Sequence, residues 1–225
     1  MFVIDSPFEQ TTAVTDLLLA ITAIINVILI YKRGNKTDRE KTIIWVTAFL
    51  FLAFSAILGA YAHGIKMPES LNKLIWQPLN LLLGLTVAFF TIGVLYDLNG
   101  FKKRKLVFIL LIITSFLFYL ITLIIPGLFL IFIIYEALAM LFAFGAYFYL
   151  FLVKKFPGAQ FMFSGILVSF IASVIQTAES VQFHFIWFFD HNGLFHILQI
   201  MGLILLCKGI IREFSSRSVK LTSTN

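Results

Sequence analysis

Long apolar stretches alternate with short polar segments along almost the whole chain. Each stretch has about 20 residues, the length at which an α-helix crosses a hydrocarbon core of roughly 30 Å. Seven such stretches are predicted as membrane helices, at 12–31, 43–65, 74–98, 106–125, 128–153, 161–180 and 194–211. They leave no room for a separate soluble domain. The sequence therefore predicts one all-α domain, residues 1–225, built as a seven-transmembrane-helix bundle.

The boundary between the fourth and fifth helices rests on two residues, Pro126 and Gly127, which alone interrupt a continuous apolar stretch. Pro followed by Gly favours a tight turn, and we therefore expect two helices. One long helix, broken at this point, is the alternative. The first apolar stretch is too long for a typical signal peptide and lacks a basic segment before it, so we expect it to be retained as a helix.

Composition agrees with a membrane protein. Hydrophobic residues make up 60% of the chain, charged residues 12%, and the mean hydropathy is +1.00. These values exclude an ordinary soluble domain of this size. Trp45, Trp76 and Trp187 fall near predicted helix ends, where an interfacial aromatic belt is expected. Cys207 is the only cysteine, so no intrachain disulfide can form.

Basic residues are concentrated in alternate connections between the predicted helices. By the positive-inside rule these connections are cytoplasmic, which predicts an outside N-terminus and a cytoplasmic C-terminus. Lys66 and Lys73, between helices 2 and 3, are exceptions. The net charge of +6 then follows from membrane topology and not from nucleic-acid binding. The basic positions are Lys32, Arg33, Lys36, Arg39 and Lys41 after helix 1, 102–105 after helix 3, Lys154 and Lys155 after helix 5, and Arg212, Arg217 and Lys220 after helix 7.

A polar stripe in the last helix is the clearest candidate for a functional site. Asn192, His196 and Gln199 stand at positions i, i+4 and i+7, and therefore share one face of that helix. Polar side chains are costly to insert into a membrane, so this face is expected to point into the bundle. His63 lies at the outer end of helix 2 and reaches the same depth.

Other polar residues converge on this layer, as their distance along each predicted helix indicates. A single one of them could merely bond to the backbone of a neighbouring helix. Their convergence from five helices predicts a polar pocket in the outer half of the membrane, whereas the inner half is expected to be poor in such groups. The additional candidates are Gln77 and Asn80 in helix 3, Glu136 in helix 5, and Gln176 and Glu179 in helix 6.

Glu136 carries the strongest individual expectation of function. A carboxylate at a helix centre costs roughly 2.5–3.5 kcal/mol on insertion scales, and no Lys or Arg is expected at its depth. It is therefore a neutral acid, a partner of His63 or His196, or a ligand for a metal or proton. Asp190, by contrast, immediately precedes helix 7 and is expected to cap its N-terminus.

The His at the end of helix 2 and the helix 7 pattern Asn192-x-x-x-His196 resemble the CREST superfamily, which includes alkaline ceramidases and adiponectin-type receptors. The resemblance implies seven helices, zinc held by histidines, and hydrolysis of lipid amides or esters. The family's Ser corresponds here to Gly59, its helix 3 Asp to Asn80, and its first helix 7 His to Asn192. With His63 and His196 retained, zinc would need an anionic ligand, for which Glu179 and Glu136 are the candidates.

Two functions follow as hypotheses. The first is a zinc-dependent hydrolase acting on membrane lipids, with catalytic roles for Glu136 and Asn80 and zinc ligands His63, His196 and Glu179. The second is a non-enzymatic protein that binds a lipid or small molecule, for sensing or transport, in a pocket that includes Gln77, Gln176, Asn192 and Gln199. Haem held by His63 and His196 is a minor alternative. Short loops suggest a bacterial-type plasma membrane.

Overall fold

The computed structural model describes residues 2–99, 105–125, 129–178 and 180–223 of the chain. The described part contains seven long helices, each apolar enough to cross a membrane, and this confirms the predicted seven-helix architecture. The helices are α1 (Pro7–Gly34), α2 (Arg39–Gly64), α3 (Glu69–Asn99), α4 (Lys105–Ile124), α5 (Phe129–Leu152), α6 (Ala159–Gln176) and α7 (His191–Ser223).

α4 and α5 are separate helices, as predicted, although Pro126 and Gly127 themselves lie outside the described residues. The link between α6 and α7 differs from the prediction. It contains a two-stranded antiparallel hairpin of β1 (Gln182–His184) and β2 (Phe188–Asp190), and α6 accordingly ends earlier than expected. Trp187 lies at the exposed tip of this hairpin and not at a helix end.

Side chains cap several helix N-termini, where the first N–H groups have no partner within the helix. Ser6 accepts the N–H of Glu9 before α1, and Pro7 occupies the first turn. Asp38 accepts the N–H of Lys41 at 3.1 Å and so begins α2. The Oδ1 of Asp190 accepts the N–H of Gly193 at 2.8 Å, which confirms the predicted cap of α7.

Six of the helices form a closed ring. α1 packs against α2 and α7, α2 against α3, α3 against α5, α5 against α6, and α6 against α7. α4 packs against α3 and is otherwise largely exposed, as suits a helix that faces lipid. The ring has two ends, which we name the His63 end, where α2 finishes, and the Lys41 end, where α2 begins.

α6 and α7 approach each other closely through glycines. A Cβ on Gly165 would lie 2.9 Å from the carbonyl oxygen of Gly202, and one on Gly209 would lie 3.0 Å from that of Gly158. Because Gly has no side chain, the two backbones can meet at these points. Gly158 also has a φ of +85°, a conformation that other residues rarely adopt.

The Lys41 end contains a buried ionic cluster, so the expectation of few polar groups in this half is wrong. The Lys41 Nζ lies 2.6 Å from Asp97 Oδ1 and 2.8 Å from Glu213 Oε2. Tyr147 donates its hydroxyl to Asp97 at 2.8 Å, and Arg217 pairs with Glu213. Lys41 thus lies in the first turn of α2, fully buried, and not in a loop. The cluster joins α2, α3, α5 and α7.

Two further residues of the interior stand out. Trp45 is fully buried one turn after Lys41, so its predicted place in an interfacial belt is wrong. Its ring packs edge-on against Phe90 inside the bundle. Cys207 is 4% exposed and belongs to the main hydrophobic core.

Candidate functional site

A cavity of about 930 Å³ lies inside the bundle, with side chains from all seven helices in its walls. At the His63 end it reaches Lys73, whose side chain is 68% exposed. In the other direction it extends to Trp45, close to the ionic cluster. A helix rises about 1.5 Å per residue, so the span from His63 to Trp45 covers most of the bundle's height.

The candidate residues predicted from sequence come together here, apart from Glu179, which lies outside the described residues. They occupy the wall of one cavity although they come from five helices, as the depth argument predicts. The cavity-lining candidates are His63, Gln77, Asn80, Glu136, Gln176, Asn192, His196 and Gln199.

His196 is held by two residues of α1. Its Nε2 lies 3.2 Å from Asp16 Oδ1, and its Nδ1 lies 3.1 Å from the hydroxyl of Thr15. Both His196 and Asp16 are buried, with exposed fractions of 7% and 5%. The two ring nitrogens therefore already have partners within the protein. A carboxylate beside an imidazole is a pair that can accept and pass a proton.

Asp16 was not among the residues predicted for the site, although the sequence carries a signal for it. Asp16 is an acidic residue inside the first apolar stretch, and ionisable residues in membrane helices are functional candidates by default. It packs on Gly59 of α2, where a Cβ would lie 2.7 Å from Asp16 Oδ2. A Ser at this position, as the CREST resemblance implies, would collide with Asp16. The glycine thus makes room for the carboxylate.

His63 has a different acidic partner. Its Nδ1 lies 2.6 Å from Glu9 Oε2, and its ring packs edge-on against Trp76. Since His63 pairs with Glu9 and His196 with Asp16, the suggested pairing of Glu136 with either histidine is wrong. Glu136 instead accepts a hydrogen bond from Ser173 Oγ at 3.1 Å.

These contacts bear on the zinc site that the resemblance implies. Zinc binds the unprotonated nitrogen of a neutral His, and such ligands must converge on one point. In this arrangement both nitrogens of His196 are engaged, and no group of three His, Cys, Asp or Glu among the described residues could hold a metal ion. The described residues therefore do not fit zinc as they are placed. Glu179, the third predicted ligand, belongs to the part not described.

Five amide side chains line the cavity. The side chains of Gln77, Asn80, Asn192 and Gln199 make no hydrogen bond to any described residue, although they line the cavity wall. The Oε1 of Gln176 is buried and also lacks a donor there. Gln176 and Gln199 are buried and the other three amides are partly buried. Amides withdrawn from bulk water without partners are costly, so water or a ligand is expected to satisfy them.

Comparison of the chain with known protein families finds one match. Residues 11–214 match a family described as a Family of unknown function (DUF6962). The chain belongs to this family. No curated protein and no solved structure matches the chain. The matched span in this DUF6962 member includes the whole set of cavity residues from Asp16 to Gln199, and also the ionic cluster from Lys41 to Glu213.

Proposed function

We propose that this protein binds an amphiphilic molecule, such as a membrane lipid, inside the cavity. The observation that carries the proposal is the division of the cavity wall into two parts. Amides without protein partners lie toward the His63 end, and mostly apolar side chains line the rest, where the hydroxyls of Ser55 and Thr86 bond to the backbone of their own helices. Such a wall suits a ligand with a polar head and an apolar tail. The apolar lining includes Leu19, Phe49, Leu52, Phe90, Leu203 and Leu206.

The size of the cavity supports this function. Ligand pockets typically have volumes of about 300–1,000 Å³, mostly apolar linings and a few polar groups that fix orientation. The cavity, at about 930 Å³, lies within that range. The apolar part gains from burial of a hydrocarbon tail, while Gln77, Asn80 and Gln199 offer both donors and acceptors to the head.

Binding can be measured through the two cavity tryptophans, Trp45 and Trp76. Protein in nanodiscs is titrated with brominated dodecyl chains that carry an alcohol, carboxylate or amine head, because bromine quenches tryptophan fluorescence on contact. We expect saturable quenching by at least one probe. We also expect Asn80→Leu to weaken it about fivefold, since one hydrogen bond is lost.

The matched control for Asn80→Leu is Thr114→Leu, which also replaces a polar side chain in a membrane helix but at an exposed position on α4. This variant should bind as the wild type does. If none of the three probes quenches with saturation, the binding function is wrong.

Hydrolysis of a lipid ester or amide, implied by the CREST resemblance, is the second candidate. The pair of Asp16 and His196 in the cavity wall favours it, because this pair offers acid–base chemistry. Glu136 and Asn80 are the other residues proposed to act on the substrate. Incubation with a dodecyl ester distinguishes the two candidate functions. If the wild type releases the hydrolysis product and His196→Ala does not, hydrolysis is the function. The metal content of the purified protein shows whether zinc is bound.

We further propose that the N-terminus lies outside and the C-terminus in the cytoplasm of a bacterial-type plasma membrane. The basic residues concentrate toward the Lys41 end, which supports this orientation. The two exceptions are neutralised: Lys66 pairs with Asp5 at 2.6 Å and Lys73 with Glu69 at 2.6 Å. In this orientation the cavity reaches the outer surface.

Cysteine labelling tests the orientation. In intact cells, a membrane-impermeant maleimide should label Glu69→Cys, whereas Lys36→Cys should react only after the membrane is opened. Both residues are exposed, at opposite ends of the bundle. The same two variants are also made in a Cys207→Ala background, which removes any signal from the native thiol. The reverse labelling pattern would invert the proposed topology.

A further inference from the structure

Glu136 differs from the other buried carboxylates of the described residues. Asp16 faces His196, Glu213 faces Lys41, and Asp190 caps a helix N-terminus. Glu136 has no basic partner and caps no helix, and none of the ion pairs among the described residues includes it. Its hydrogen-bond partner is the neutral hydroxyl of Ser173. A residue that is 7% exposed and lines a cavity thus lacks a counter-ion.

A second acceptor lines the same cavity from α6. Gln176 follows Ser173 by three residues on α6, so the two side chains share a face of that helix. Gln176 is 8% exposed and lines the cavity, and its Oε1 has no donor among the described residues. The Gln176 Oε1 therefore calls for a donor, and the Glu136 carboxylate, whose donor among the described residues is Ser173, calls for a positive charge. Both residues border the cavity.

Aromatic rings complete this part of the wall. Phe132 precedes Glu136 by one turn of α5, and its ring centroid lies 5.6 Å from that of Phe118 of α4. Both rings line the cavity. The face of an aromatic ring attracts a cation, and this attraction is stronger where water is excluded. We name Glu136, Ser173, Gln176, Phe132 and Phe118 the Glu136 corner.

We infer that the Glu136 corner binds the protonated amine of a lipophilic amine ligand, an inference that rests on the proposed binding function. An ammonium group carries three donors and no acceptor, so it can serve the Glu136 and Gln176 oxygens together and neutralise the carboxylate. An alcohol offers one donor and no charge. A carboxylate head would add a second negative charge to the corner. The amine thus supplies the donor that Gln176 lacks and the positive charge that Glu136 lacks.

The test compares brominated dodecylamine with brominated dodecanol at neutral pH, where the amine is protonated, using quenching of Trp45 and Trp76 in nanodiscs. We expect the wild type to bind the amine at least about tenfold more tightly than the alcohol, because hydrogen bonds to a charged group are the stronger ones. In Glu136→Gln, which keeps the shape of the side chain, this preference should fall to less than about threefold. The alcohol affinity should change little.

Two further variants make the result specific. Gln176→Leu removes one acceptor without changing the charge and should weaken amine binding about fivefold. Glu40→Gln removes an exposed acidic charge at the Lys41 end, outside the cavity, and should keep the wild-type preference. If Glu136→Gln does not fold, the wild-type preference and Gln176→Leu still decide the question.

Several outcomes would overturn the amine site. Equal affinity for amine and alcohol in the wild type would do so, while leaving amphiphile binding itself intact. A preference that survives in Glu136→Gln would show that Glu136 is a neutral structural acid. If the preference for amine over alcohol is lost in Asp16→Asn but kept in Glu136→Gln, the amine binds beside Asp16 of α1 and not at the Glu136 corner. Absence of saturable quenching by alcohol, carboxylate and amine alike would instead reject the proposed function.

Discussion

Replacing Lys41 by Ala should lower the free energy of unfolding by about 3–5 kcal/mol, because it leaves Asp97 buried without a cation and Glu213 with Arg217 alone. The side chain of Lys41 is fully buried, and its two pairs connect the beginning of α2 with the end of α3 and with the last third of α7. Equilibrium unfolding in mixed micelles, followed by circular dichroism, measures the change.

Two further variants show whether the loss of the Lys41 charge causes the loss of stability. Lys36→Ala removes an exposed Lys of the adjoining α1–α2 connection and should change stability by less than about 0.5 kcal/mol. The triple variant Lys41→Met with Asp97→Asn and Glu213→Gln removes the uncompensated charges and should recover most of the loss. Wild-type stability of Lys41→Ala would mean that the cluster does not hold the helices together.

Gly158→Ala should destabilise the protein by more than about 2 kcal/mol, for two additive reasons. The backbone of Gly158 has a φ of +85°, which a residue with a Cβ adopts at a cost of about 1–3 kcal/mol. The new methyl group would also lie 2.2 Å from the carbonyl oxygen of Gly209, so that α6 and α7 must separate. Thermal unfolding of the purified variant in detergent gives the result.

Gly145 offers the matched control, since it is a glycine within α5 around which a Cβ would meet no atom within 4 Å. Gly145→Ala should leave stability unchanged or raise it by up to about 1 kcal/mol, because Ala is the better helix former. Equal melting temperatures for Gly158→Ala and Gly145→Ala would contradict the close approach of α6 and α7 at this glycine.

The fold was largely predictable because the length of an apolar run reports directly on a membrane span. All seven helices appear where the runs lie, and most ends shift by no more than five residues, but α7 continues to Ser223, well beyond its predicted end at 211. The β1–β2 hairpin was missed because each strand has three residues, too few for a recognisable alternation of apolar and polar positions. Trp45 was misplaced because nearness to a helix end does not reveal which side of the helix faces the bundle.

Depth along a helix identified the cavity residues, since rise per residue is fixed. Depth could not identify their partners, which depend on how each helix is rotated. His63 meets Glu9 and His196 meets Asp16, both from the beginning of α1, a helix that contributed no candidate to the predicted site. Lys41 was assigned to a loop because a basic residue near a helix end usually reaches water, and burial beside two acids cannot be inferred from spacing alone.

Cys207, the single cysteine of the chain, sits in the interior at 4% exposure. A thiol reagent can reach it only when the surrounding helices separate. The rate at which Cys207 reacts therefore measures how often the bundle opens. The rate of Cys207 modification can rank Lys41→Ala, Gly158→Ala and Gly145→Ala within an intact bilayer, with no added dye or engineered label. Ligands that fill the cavity should slow this modification, because they stabilise the closed bundle.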